Sequence, residues 1–216
     1  RVYKLEINQL LNYKNKEEGT FKQVVYLSHT DEEKPMILIT EAKSPNFETH
    51  ELSKLFKGNQ VQIEDRLNSN VISNEYKKRT LATEDIHTII TKLKKIYTGK
   101  WIATGSKFGA EIVLSHAFKY PWDTEVTVVY KPNLSTISEE ALEFLKNKGK
   151  KIMYLYLENN KYVPVLQPHV DAFKMILDSS LSSNFLIKSL KSTEKESLYG
   201  KLQSWLGYSV TLYPLN

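Results

Sequence analysis

Ser106 is the residue whose surroundings most favour chemistry. Residues 100–105 are apolar enough for a buried strand, and residues 107–119 follow with the spacing of a helix. A serine at a sharp turn from strand to helix is exposed above the sheet, where it can attack a carbonyl carbon if an imidazole takes its proton. The order of these segments therefore predicts a nucleophile elbow with Ser106 as the nucleophile-equivalent residue.

The residues that would activate such a serine are missing from their expected places. In an elbow of this type the acid and then the histidine follow the serine, each at the end of a later strand. Only His116 and His169 follow Ser106, and both lie in predicted helices, which favours a surface or capping role. Glu158 is a candidate acid, but it has no histidine to orient. We therefore expect no histidine within hydrogen-bond reach of Ser106.

The composition excludes several other kinds of site. With no cysteine in the chain, disulfides, thiolate metal sites and cysteine nucleophiles are excluded. His29, His50 and His87 form no metal-ligand spacing with carboxylates, so we expect neither a metal nor another cofactor. The net charge of +5 raises the question of nucleic acid, but lysines and glutamates are interleaved, as in residues 188–201, without a dense basic cluster. No nucleic-acid partner is expected.

Strands and helices alternate along most of the chain. Residues 3–11 and 20–27, joined by a polar turn at 15–19, predict an N-terminal hairpin. Five further strands are predicted at 35–40, 60–64, 100–104, 126–130 and 152–157, with helices at 48–57, 83–97, 107–119, 138–148, 168–178 and 193–206. This alternation predicts one α/β domain over residues 1–216, with a doubly wound, mostly parallel sheet and helices on both faces.

The termini and the apolar runs bear on location. The chain begins at Arg1 without an apolar leader, and no run of about 18 apolar residues occurs. The sequence in this numbering therefore predicts neither a signal peptide nor a membrane span.

Several segments together resemble the prolyl tri- and tetrapeptidyl aminopeptidases, a family of secreted serine peptidases with the α/β-hydrolase fold. The segments are residues 18–23, 34–41, 59–66, 97–107, 120–123 and 187–207. The most specific is 97–107, because the family has Lys-Trp-Ile-Ser-Thr-Gly-x-Ser-Lys-Gly-Gly around its nucleophile. The resemblance implies an α/β-hydrolase fold and an exported protein, periplasmic, at the cell surface or secreted.

The departures from the family pattern affect catalysis. If the serines are aligned, both flanking glycines of the elbow are replaced, and we expect Phe108 to crowd the turn. The family's aspartate falls at Asn160 or Lys161, and its histidine falls within residues 181–185, which contain none. Residues 131–150 are also too few for the family's long helical cap. These departures predict a degenerate, capless member of the family.

Two hypotheses for the function follow. The leading one is a non-catalytic peptide-binding or protein-binding subunit; its rival is an active serine hydrolase that uses Ser106 with a rearranged acid and base, Glu158 and His169. Without a cap, the rim above the strands needs another cover, and we expect Phe47, Tyr76 and Tyr162 to be its binding anchors. Glu64 and Arg66 match charged positions of the family, and they are candidates for this rim or for an ion pair with each other.

Overall fold

The fold is described from a computed structural model of the chain. The structure describes residues 1–41, 48–130 and 140. For residue 41 and for residues 151–155, 157–158, 161–162 and 185–188, it describes the backbone only.

The N-terminal hairpin is confirmed. Strands β1 (Val2–Leu10) and β2 (Thr20–Ser28) pair antiparallel over their whole length. A short 3₁₀ turn, Lys16–Glu18, joins them and is capped by the Asn15 side chain, which accepts from the Glu17 N–H. Gly19 then adopts φ 96°, a conformation that glycine reaches without a steric penalty.

The predicted parallel strands lie next to one another in one sheet. They are β3 (Met36–Glu41), β4 (Asn59–Glu64), β5 (Trp101–Ser106), β6 (Val126–Tyr130) and β7 (Lys151–Leu155). With β10 (Phe185–Lys188), which the sequence did not predict, the sheet has the order β1-β2-β4-β3-β5-β6-β7-β10. All neighbours from β4 to β10 are parallel, and β2 pairs antiparallel with β4. The mostly parallel α/β fold is confirmed.

The strand predicted at 152–157 is shorter than expected. β7 ends at Leu155, and Leu157 begins β8 (Leu157–Glu158) instead, which pairs antiparallel with β9 (Lys161–Tyr162) in a separate two-stranded sheet. The apolar run did not reveal this break, because an apolar pattern gives the type of an element better than its ends. The helices predicted at 138–148, 168–178 and 193–206 lie outside the described residues, except for the helical Glu140.

Three helices connect the central strands. They are α1 (Glu51–Phe56), α2 (Arg79–Leu93) and α3 (Phe108–Lys119). α2 begins one turn earlier than predicted and ends at Leu93, before the predicted end at Tyr97. The sequence did not reveal the start, because Lys78 at the N-cap makes no side-chain capping bond. None of the helices in the described part of the chain has the length and apolarity to cross a bilayer.

The core lies between the sheet and the α2–α3 pair. It includes apolar side chains from β3 and β5, such as Leu38 and Ala103, packed against Ile86 and Ile90 of α2 and Val113 of α3, all fully or almost fully buried. On the other face, Ser53 of α1 donates to the side chain of Gln60 in β4. In a parallel sheet with this arrangement, ligands bind at the carboxyl ends of the strands. Ser106 ends β5 at that edge.

Candidate functional site

The sharp turn of the elbow falls on Lys107. β5 ends at Ser106 and α3 begins at Phe108, so Lys107 alone makes the connection, with φ 51° and ψ −116°. Lys57, which also has a positive φ, lies in the ordinary left-handed region with ψ 38°. A non-glycine residue with the angles of Lys107 is strained, as the nucleophile of an elbow is. The strained position is therefore one residue beyond the serine selected from the sequence.

Two glycines flank Lys107 at the spacing that an elbow requires. A Cβ atom on Gly105 would lie 2.5 Å from the Gly109 carbonyl carbon, and one on Gly109 would lie 2.0 Å from the Thr40 carbonyl oxygen. The Thr40 hydroxyl donates to the Gly109 carbonyl at 2.9 Å, which fixes α3 against β3. The expectation that the elbow glycines are replaced was wrong, because it aligned the chain on Ser106 instead of on these glycines.

Phe108 does not crowd the turn. Its side chain is 54% exposed, and the guanidinium of Arg79 lies over its ring at 5.7 Å from the centroid. Arg79 also forms an ion pair with Glu111, whose side chain is almost fully buried in α3. The expected steric conflict was wrong, because the residue that must be small is Gly109 and more than half of the Phe108 side chain is exposed. Lys107 and Phe108 are therefore exposed at this edge, beside a partly exposed Arg79 whose charge is paired with Glu111.

Ser106 has no imidazole partner among the described residues. It is half-buried at the end of β5, where its backbone pairs with Tyr130 of β6. His29 Nδ1 lies 3.1 Å from the Tyr97 hydroxyl, and His50 Nδ1 accepts from the Leu52 N–H at the start of α1. Neither ring is bonded to the serine.

The two other described histidines share one carboxylate. Asp123 Oδ2 lies 2.7 Å from His87 Nδ1 and 2.9 Å from His116 Nε2, in the loop that leads into β6. The ring of His87 stacks on Tyr120 at 3.8 Å. Burial acts to raise the pKa of Asp123, but the hydrogen bonds from the two histidines outweigh it and lower that pKa. These histidines tie α2 and α3 to the loop before β6. His116 is fully buried, so the surface or capping role expected for it was wrong, because its ring faces inward to Asp123.

Arg66 pairs with Asp85, so the expected ion pair with Glu64 was wrong. Arg66 is fully buried, and its Nε and Nη2 donate to the two Asp85 oxygens at 2.7 Å each. The remaining N–H groups donate to the carbonyls of Leu10, Leu11 and Tyr76. All five donors of the guanidinium are therefore used inside the protein. Asp85 could not be identified from the sequence, because it lies on the next helix.

The other candidate residues occupy separate places. Glu64 is half-buried at the end of β4, and its carbonyl accepts from Gln23 Nε2 at 2.9 Å. Tyr76 is half-buried in a short 3₁₀ turn, Asn74–Tyr76, and its carbonyl accepts a hydrogen bond from Arg66 Nη1. Glu158 and Tyr162 lie in the small β8–β9 sheet, in which the backbone of Glu158 lies opposite the backbone of Lys161. Phe47 and His169 lie outside the described residues.

A small cavity lies beside Thr40, close to the elbow. The cavity has a volume of about 10 Å³, which is enough for one water molecule. Its lining comes from the sheet and from α2 and α3: Gln23, Thr40, Ile63, Asp65, Ala82, Ile86 and Ile112. Burial raises the pKa of Asp65 above its ordinary value. Across the described ranges, no three histidine or carboxylate side chains are grouped so that they could hold a metal ion.

The chain was compared with known families and proteins. The profile of the PS-10 peptidase S37 family matches residues 1–146. A prolyl tri/tetrapeptidyl aminopeptidase from Streptomyces mobaraensis is 29% identical over 160 residues, which cover 70% of this chain and 34% of that protein.

Solved structures share the fold. A structure from a study of two prolyl endopeptidases covers 95% of this chain and 38% of its own, with a TM-score of 0.59 and 11% identity. A post-proline cleaving enzyme from Rickettsia typhi covers 95% of this chain and 37% of its own, with a TM-score of 0.58 and 12% identity. The chain thus spans between a third and two fifths of the length of these relatives.

Proposed function

Because the chain belongs to the PS-10 peptidase S37 family, we propose that it is a catalytically silent member that acts by binding a peptide or protein segment. One observation carries the proposal: the strained position of the elbow is occupied by Lys107. Read without a gap from Lys100, the family pattern places its nucleophilic serine on Lys107 and the two glycines that flank the serine at a distance of two residues on Gly105 and Gly109. Its last glycine falls on Ala110. Sequence register and backbone geometry therefore agree on the same residue.

A lysine at this position cannot replace the serine. An ammonium group has three donors and no lone pair with which to attack a carbonyl carbon. Lysine nucleophiles are activated by burial in an apolar pocket or by a second cation close by. Lys107 is exposed, and the neighbouring guanidinium of Arg79 is paired with Glu111. The neighbouring Ser106 belongs to the regular part of β5, so its hydroxyl lacks the presentation that an elbow gives.

The absence of an acid and base from the family positions supports the same conclusion. Asn160 or Lys161 replaces the aspartate, and residues 181–185 contain no histidine. The four described histidines are bonded to Tyr97, Leu52 and Asp123 instead. The rival hypothesis, in which Ser106 acts with Glu158 and His169, requires these to assemble around a serine that is not at the turn.

Lys107 also has costs that binding would explain. Its backbone strain amounts to about 1–3 kcal/mol, and a cation at the N-terminus of α3 lies at the unfavourable end of the helix dipole. A bound carbonyl oxygen or carboxylate would offset the second cost. Arg79, whose side chain is 40% exposed, and the ring of Phe108 extend this surface. We propose that it binds a peptide segment, with Tyr76, Phe47 and Tyr162 as further anchors of the rim.

A panel of prolyl tri- and tetrapeptides tests the proposal. We expect the purified chain to bind some of these peptides without cleaving them, and Lys107→Glu to weaken binding about tenfold, since charge reversal beside a ligand costs about 1.4 kcal/mol. Lys95→Glu, an exposed charge reversal after the end of α2, is the matched control. Calorimetry measures binding, and mass spectrometry measures cleavage.

The two parts of the proposal can fail separately. If the chain cleaves a peptide and Ser106→Ala abolishes this cleavage, the proposal that the elbow is catalytically silent is contradicted. If the chain neither binds nor cleaves any of the peptides, the binding role is contradicted, whereas the lack of catalysis at the turn from β5 to α3 still holds. By its family resemblance, we also propose that the protein is exported.

A further inference from the structure

No strand in the described part of the chain pairs with the outer edge of β1, including the first half of this edge. Arg1 and His29 exchange two backbone hydrogen bonds, and the Leu11 N–H donates to Gly19. Because bonding alternates along an antiparallel pair, the odd-numbered residues of β1 are bonded to β2 and the even-numbered ones direct their N–H and C=O groups outward. The outward carbonyls of Asn8 and Leu10 accept from Lys92 and Arg66.

The corresponding groups of Val2, Lys4 and Glu6 have no partner among the described residues. Val2 is 60% exposed and Tyr3 is 41% exposed, so apolar surface accompanies the unpaired backbone. An edge of this kind pairs readily with another strand. This part of the edge therefore has the geometry to accept an extended strand.

The charges on this edge select the occupant. We propose that β1 pairs antiparallel with β1 of a second copy of this chain, with the two Leu5 residues facing each other on the twofold axis. In this register Lys4 of each copy lies opposite Glu6 of the other, and both residues lie on the exposed face of the strand. Opposite charges on facing positions of an antiparallel pair are stabilising.

The neighbouring registers are opposed by the same side chains. If the twofold axis passes through Lys4 instead of Leu5, the two Lys4 residues lie opposite each other. If it passes through Glu6, the two Glu6 residues lie opposite each other. Like charges directly opposite each other are destabilising. The proposed register alone pairs opposite charges, and it also covers Tyr3 with Ile7 of the second copy. The Lys22–Glu6 ion pair within each copy, at 2.9 Å, holds the Glu6 carboxylate on the same face.

Disulfide trapping tests the register directly, because the chain has no cysteine of its own. Facing residues of a non-hydrogen-bonded antiparallel pair lie about 4.5 Å apart at Cα, within the roughly 4.4–6.8 Å range that a disulfide spans. We expect Leu5→Cys to form a disulfide-linked dimer under mild oxidation. Asn8→Cys, which faces Val2 in the proposed register, is the matched control and is expected to stay monomeric.

Charge exchange provides an independent measurement. Sedimentation velocity from about 5 µM to about 500 µM is expected to show a concentration-dependent dimer of the unmodified chain. Lys4→Glu is expected to shift it to monomer, and the double variant Lys4→Glu with Glu6→Lys to restore the dimer. A monomer at every concentration, equal cross-linking of Leu5→Cys and Asn8→Cys, or a double variant that stays monomeric would each overturn the proposal. None of these results depends on peptide binding at the elbow.

Discussion

Replacement of Arg66 by methionine is expected to destabilise the fold by about 3–5 kcal/mol, the usual cost of removing one partner from a buried ion pair. The substitution removes all five hydrogen bonds of the guanidinium. It leaves the Asp85 carboxylate, whose side chain is only 1% exposed, without a cation and with the Tyr13 hydroxyl as its side-chain donor. It also leaves the carbonyls of Leu10, Leu11 and Tyr76 without their donor. Arg66 thus joins β1, α2 and the loop after β4.

The measurement is urea unfolding, compared at an unchanged denaturant slope. Lys22→Met is the matched control, because it removes a cation from an ion pair whose side chains are 70% and 49% exposed. A surface pair of this kind contributes at most about 1 kcal/mol. If Arg66→Met cannot be obtained folded while Lys22→Met can, the expectation is met. Equal effects of the two substitutions would contradict it.

Gly109→Ala is expected to destabilise the protein, although alanine has a higher helix propensity than glycine. In an ordinary helical position this change stabilises by about 1 kcal/mol. Here the new Cβ atom would lie 2.0 Å from the Thr40 carbonyl oxygen, so α3 must move away from β3. Overpacking of this kind costs about 1–3 kcal/mol.

Thermal and urea unfolding measure the sign of this effect. Phe108→Ala, at a neighbouring position that is 54% exposed, is the control and should change stability by about 0.5 kcal/mol or less. A Gly109→Ala variant more stable than the unmodified chain would show that the elbow has room at this position. That result would contradict the argument that close packing of Gly109 against Thr40 places Lys107 at the turn.

The sheet was well predicted because its strands carry strong local signals. Four consecutive apolar residues, 36–39, begin β3 and are typical of a strand buried on both faces, and the turn at residues 15–19 marks a hairpin. The start of α2 was missed because Lys78 and Arg79 give no capping or apolar signal. β10 was missed because a strand of four residues carries too short a pattern.

The site was predicted less well than the fold. The predicted order of strand, turn and helix around Ser106 was confirmed, since this order is a local signal. The residue at the turn was misassigned because serine was taken as the anchor, whereas the spacing Gly105-x-Lys107-x-Gly109 carried the signal. The pairing of Arg66 with Asp85 joins residues from different elements, which a local pattern does not connect.

Covalent labelling by a fluorophosphonate probe tests the silent elbow most directly. The probe reacts with serines that an adjacent base activates, so the purified chain and its Ser106→Ala variant should both remain unlabelled, beside an active serine hydrolase as a positive control. The readout depends only on the reactivity of the hydroxyl and not on the choice of a peptide. We predict no labelling of the unmodified chain; labelling that disappears in Ser106→Ala would contradict the assignment of Lys107 to the position of the nucleophile.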